Sequence, residues 1–177
     1  MQQRSSLSLG TRLYVALILL LAATSTLAVV GVAVPYELGD EWIAIVAFFV
    51  LAIALELAEH RLATGHARGS IAFIVYMGSV ITFGPLIGSS ITALSFAGSG
   101  LLTGRGLVKT AFNVSQSILA LNVGSLVYLQ LGGVFSPTTL DSSAVPYVGI
   151  IFSYFIINSC AVSGVVAVSE RRRFVDV

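Results

Sequence analysis

The sequence predicts an all-α, polytopic membrane bundle of about six transmembrane helices, with the N- and C-termini both cytoplasmic. Two observations carry this: how little charge the chain has, and where that charge lies. Of 177 residues, 56% are hydrophobic and only 10% charged, whereas a soluble domain carries about 25%. A chain so apolar has too little polar surface to cover itself in water. The length suits one transmembrane domain over 1–177 and leaves no room for a second sizeable soluble one. Net charge is +1, so composition gives no reason to expect nucleic acid as a partner.

A helix crosses the hydrocarbon core in roughly 20 residues. The first span is Leu13–Val34, ended by Pro35 and Gly39 and followed by Glu37, Asp40 and Glu41. Gly31-Val32-Ala33 is a passable cleavage site, but the apolar run is too long for a signal peptide, so the span is expected to be retained. The second runs from Trp42, whose indole suits the interface, to about Ala58. The apolar stretch Ile71–Thr103 would make a single helix of about 50 Å, too long for one crossing. Gly84-Pro85 interrupts it, and proline breaks a helix because it lacks the amide proton and clashes with the preceding turn. Two short spans are read there, Ile71–Phe83 and Leu86–Thr103, with a broken or re-entrant segment as the alternative. The fifth span is Val108–Leu131, closed by Gly132-Gly133. The sixth is Tyr147–Val168.

The nine basic residues test this division. Arg4 and Arg12 precede the first span, and Arg61 and Arg68 lie between the second and third. Arg105 and Lys109 lie around the fourth and fifth, and Arg171, Arg172 and Arg173 follow the sixth. Six crossings put them all on one side, with Glu37, Asp40, Glu41 and Asp141 opposite. The positive-inside rule makes the basic side cytoplasmic. One crossing fewer would strand the last five outside.

Ionisable groups at membrane depth are costly, which makes them functional candidates. Glu56, near the end of the second span, is read as a ligand contact, proton site or helix lock. The plainer reading is an interfacial carboxylate paired with Arg61 or His60. In the fifth span, Asn113, Gln116, Ala120 and Gly124 share a face while Asn122 points roughly the opposite way. Amides bond across helices in a bilayer, so this face is a seam or a ligand pocket. Gly84, Gly88, Thr92, Ser95 and Ser99 form a stripe on the fourth span that lets a neighbour pack closely or leaves room for a ligand. Asn158 in the sixth span is a further interhelical candidate. His60 and His66 are expected to be solvated, and Cys160, a lone cysteine in an apolar run, reads as a small hydrophobe. No phosphate loop, zinc spacing or nucleophile elbow occurs. Catalysis is not expected, and neither a metal site nor a cofactor can be named.

Several strings resemble the multi-span membrane region that precedes cytoplasmic HD-GYP and GGDEF signalling domains in bacteria. They are Thr11-Arg12-Leu13-Tyr14-Val15, Ala54-Leu55-Glu56, Phe83-Gly84-Pro85-Leu86, Ala111-Phe112-Asn113-Val114-Ser115-Gln116, Val127-Tyr128 with Gly132-Gly133, and Tyr154-Phe155-Ile156-Ile157-Asn158. The resemblance covers nearly the whole chain and implies a sensor-like input module of the bacterial inner membrane. Glu56, Asn113, Gln116 and Asn158 match its pattern. In such proteins the last helix leads into an enzyme that makes or breaks cyclic di-GMP. Here nine residues follow the sixth span, and no such output domain is expected. Three functions remain open. One is a non-enzymatic sensor-like or partner-binding module that acts on another membrane protein. The second is an accessory subunit of a respiratory or photosynthetic complex. The third is a capture subunit of an energy-coupling-factor vitamin transporter, although the first span lacks the Ala-x-x-x-Ala seam such subunits use to dock.

Overall fold

A computed structural model describes residues 8–31, 41–62, 71–137 and 143–170, without the side chains of 60–62. Arg4, Glu37, Asp40, His66, Arg68, Asp141 and Arg171 to Arg173 lie outside the described residues, as do the side chains of His60 and Arg61. The helices are α1 (Leu9–Val30), α2 (Trp42–Leu62), α3 (Ala72–Phe83), α4 (Pro85–Leu102), α5 (Leu107–Gln130) and α6 (Val145–Glu170). There is no strand among the described residues. All but α3 are long and apolar enough to cross a membrane. At about 18 Å, α3 is shorter than a hydrocarbon core.

Capping chemistry sets the helix ends. α1 begins ahead of Leu13 because Ser8 is its N-cap: Ser8 Oγ accepts from the Thr11 amide at 3.1 Å, which takes Arg12 into the first turn. α2 runs past Ala58 because Leu57, Ala58 and Glu59 are strong helix formers with no breaker after them. The Glu59 carboxylate then accepts from the Ile71 and Ala72 amides, the second at 3.2 Å. An anion is thereby fixed at the N-terminus of α3, where the helix dipole favours it.

The chain turns at Gly84, with φ +83°, and Pro85 opens α4, where its missing N–H costs nothing. The two short helices pack closely. A Cβ on Gly88 would lie 2.5 Å from Val80 Cγ2 and 2.7 Å from the Val80 backbone. The break frees the last carbonyls of α3, and the loop after α5 takes them up. The Ser136 amide donates to Ile81 O at 2.9 Å and its hydroxyl to Thr82 O at 2.8 Å. The same loop is anchored by Tyr128, whose hydroxyl donates to Val134 O at 3.0 Å.

Helices in lipid gain little from apolar contact alone, so small residues and polar bonds decide the packing. α5 is the central helix, with eleven of its 24 residues buried, whereas little of α2 is buried. It joins a larger cluster around Tyr76, Val80, Ile91, Leu121 and Tyr154 to a smaller one around Val15, Ile18, Phe112 and Ala161. Asn122 ties three helices together. Its Oδ1 accepts from Ser89 of α4 at 3.0 Å, and its Nδ2 donates to Ser25 and Thr26 of α1 at 3.2 and 3.0 Å. α1 lies beside α6: Tyr14 donates to Ala161 O at 3.1 Å, and Gly10 faces Val168.

Candidate functional site

α2 brings Glu56 and Glu59 to one face by a three-residue step. α5 brings Lys109, Asn113 and Gln116 by steps of four and three, and α6 brings Tyr154, Asn158 and Val162 by steps of four. These faces meet with Phe73 of α3 and with Phe96, Thr103 and Arg105 around a cavity of about 440 Å³. Glu56, Asn113, Gln116 and Asn158, singled out in the sequence on three different helices, all line it.

The cavity is graded. Arg105 is half-buried and Lys109 exposed, whereas Glu56, Gln116, Ser117 and Tyr154 are buried. The Tyr76 hydroxyl donates to Glu56 Oε1 at 2.9 Å. Glu56 is therefore a buried, hydrogen-bonded carboxylate; its pairing with Arg61 or His60 lies outside the described residues. Glu59 accepts from the α3 amides. Both carboxylates are thus held by donors from α3. Among the described residues, neither Arg105 nor Lys109 forms an ion pair.

Gln116 is 5% exposed; its Nε2 donates to Ser117 Oγ at 3.0 Å, and its Oε1 finds no donor. A buried amide atom left unpaired costs about 1–3 kcal/mol. The apolar part of the wall is aromatic. Phe73 stacks on Tyr154 at 6.3 Å and meets Phe155 edge-on at 5.0 Å, while Phe96 lies 5.5 Å from Tyr76. Such a wall, with a few polar groups converging on it, is the usual make-up of a small-molecule site.

The small residues lie elsewhere. Gly84 makes the turn, and Gly88 packs on α3. Thr92 and Ser99 are buried and return their hydroxyls to Gly88 O and Phe96 O of their own helix, at 2.9 and 3.2 Å. Ser95 Oγ is buried without a partner. Ala120 is fully buried, and Gly124 faces Ile150 of α6 with room for a Cβ only at 3.1 Å. None of these lines the polar cavity. A second cavity of about 430 Å³ lies between α2 and α4, lined by Ile45, Phe49, Leu86 and other apolar residues, with Ser90 its one polar contributor. It offers no chemistry beyond apolar contact.

Sequence reasoning did not assign site roles to Tyr76, Ser117, Tyr154, Arg105 or Lys109. A signal for two of them was present. Lys109 falls on the Asn113/Gln116 face and Tyr154 one turn before Asn158. Among the described residues no three His, Cys, Asp or Glu side chains gather as a metal set. No family model matches this chain, nor is a match found among curated proteins or solved structures.

Proposed function

We propose that this multi-pass membrane protein is a non-enzymatic, sensor-like input module, with the polar cavity as its ligand site and another membrane protein as the receiver of its signal. The observation that carries the reading is the convergence of Glu56, Asn113, Gln116 and Asn158 on one cavity. The resemblance to the membrane regions of bacterial HD-GYP and GGDEF proteins points the same way and suggests the bacterial inner membrane. The reading takes six crossings with both termini cytoplasmic, α3 and α4 forming a hairpin. It gains support from the cavity wall, built from the ends of α2, α3, α4 and α5 that carry or adjoin Arg61, Arg68, Arg105 and Lys109. In this orientation the cavity faces the cytoplasm. A subunit capturing a vitamin from outside the cell needs its site at the other end, so the transporter reading fares worse.

The test is a thermal-shift screen of the purified chain in mild detergent. A compound that stabilises the wild-type chain, but not the Asn113→Leu or Asn158→Leu variants, supports the reading. A broad screen in which nothing shifts the wild-type chain counts against it.

A further inference from the structure

We infer that the cavity takes a hydroxylated amphiphilic anion: a carboxylate or phosphate, an adjacent hydroxyl and an apolar body. This deepens the reading of the cavity as a ligand site and rests on it.

Charge comes first. Four ionisable side chains other than tyrosine line the cavity: Glu56, Glu59, Arg105 and Lys109. The two carboxylates already receive donors, from Tyr76 Oη and from the Ile71 and Ala72 amides. The two cations have no ion-pair partner among the described residues. They lie close in sequence across the α4–α5 loop, at the more exposed part of the cavity. An arriving cation would meet carboxylates whose acceptor capacity is partly used and two bases that repel it. An arriving anion meets donors that are unspent, and bonds to charged groups are the strong ones.

The hydroxyl follows from Gln116. One end of its amide faces Ser117, and the other is buried without a partner. Turning the amide end over end exchanges the two atoms but still leaves one of them unpaired. A hydroxyl both donates and accepts, so it satisfies Gln116 in either setting. The apolar body follows from Phe73, Phe96 and Tyr154, which line the same space. Two sources supply this chemistry: a soluble hydroxy acid from the cytoplasm, or the headgroup of an anionic lipid such as phosphatidylglycerol.

The test uses the full chain, with three soluble probes, two lipids and three variants. In phosphatidylcholine nanodiscs, binding is measured for mandelate, whose hydroxyl adjoins its carboxylate, for phenylacetate, which lacks the hydroxyl, and for 2-amino-1-phenylethanol, which reverses the charge. In detergent, stabilisation by phosphatidylglycerol is compared with that by phosphatidylcholine. The expected result is preference for the hydroxylated anion in at least one arm, which also identifies the source. Arg105→Gln with Lys109→Gln should abolish it, and Gln116→Leu should weaken it on the order of tenfold. Lys109→Gln alone, at an exposed position, guards against loss of folding as the explanation. Preference for 2-amino-1-phenylethanol, or anion binding that ignores Gln116→Leu, overturns the ligand class while leaving the cavity an input site. If no probe binds, and the broader screen also finds nothing, the input-site reading falls with it.

Discussion

The Tyr76 hydroxyl donates to Glu56 Oε1 across 2.9 Å, joining α3 to α2 between two buried side chains. This bond fixes one wall of the polar cavity. Removing it by Tyr76→Phe takes one donor from a buried carboxylate at almost unchanged shape. The expected loss is about 1–3 kcal/mol of stability, read as a lower midpoint in thermal unfolding. Glu56→Gln keeps an acceptor for Tyr76 and should lose less than Glu56→Ala. If all three variants unfold with the wild type, the bond contributes nothing to the bundle.

Asn113 and Asn122 lie on the same helix and should behave in opposite ways. Asn122 bonds to α1 and α4, so Asn122→Leu leaves Ser89, Ser25 and Thr26 without it. Interhelical bonds in membranes are worth about 0.6 kcal/mol each on average, and the three together should lower stability by about 1–2 kcal/mol. Asn113 is a half-buried cavity wall, and Asn113→Leu should leave the unfolding midpoint nearly unmoved while impairing ligand binding. Denaturant unfolding in detergent separates the two.

Gly88 and Gly84 differ in the same instructive manner. Gly88→Ala places a methyl 2.7 Å from the Val80 backbone, so α3 and α4 must separate, and a loss of about 1–3 kcal/mol is expected from overpacking. Gly84→Ala meets nothing within 4 Å but must hold φ +83° with ψ 166°, a strain of about 1–3 kcal/mol. A second substitution that shrinks Val80, Val80→Ala, should rescue part of the first loss and none of the second.

Topology can be read with single cysteines in a Cys160→Ser background. With α3 and α4 as a hairpin, Ile71→Cys and Gly106→Cys should react with an impermeant maleimide only after the membrane is opened. Trp42→Cys and Val134→Cys should react in intact cells. If Ile71→Cys and Gly106→Cys label from opposite sides, α3 and α4 together make one crossing, and the six-span arrangement is wrong.

Much of the architecture was legible because membrane burial leaves a coarse signal. The long apolar helices follow from hydropathy, and the Gly84–Pro85 turn follows from two residues that cannot continue a helix there. The helix ends were less legible. Hydropathy ends α2 near Ala58, yet helix propensity carries it on to Leu62. Ser8 starts α1 through a single capping bond that hydropathy does not register. For the site, helical periodicity grouped Asn113 with Gln116, but no periodicity within one helix tells which neighbour it faces. That Glu56 and Asn158 share their cavity is a property of how three helices pack. The small-residue stripe shows the same limit. Gly88 is small to admit α3, whereas Thr92 and Ser99 bond within their own helix.

α3 is held at both ends. At its start, Glu59 of α2 receives the Ile71 and Ala72 amides; at its finish, Ser136 of the α5–α6 loop engages Ile81 and Thr82. A helix shorter than the bilayer, pinned in this way, is a strut. It cannot slide by a turn or tilt freely without breaking four bonds, and it fixes the separation between α2 and the far end of α5. Any shift of α3 along its axis must therefore carry Glu59 of α2 and the α5–α6 loop with it.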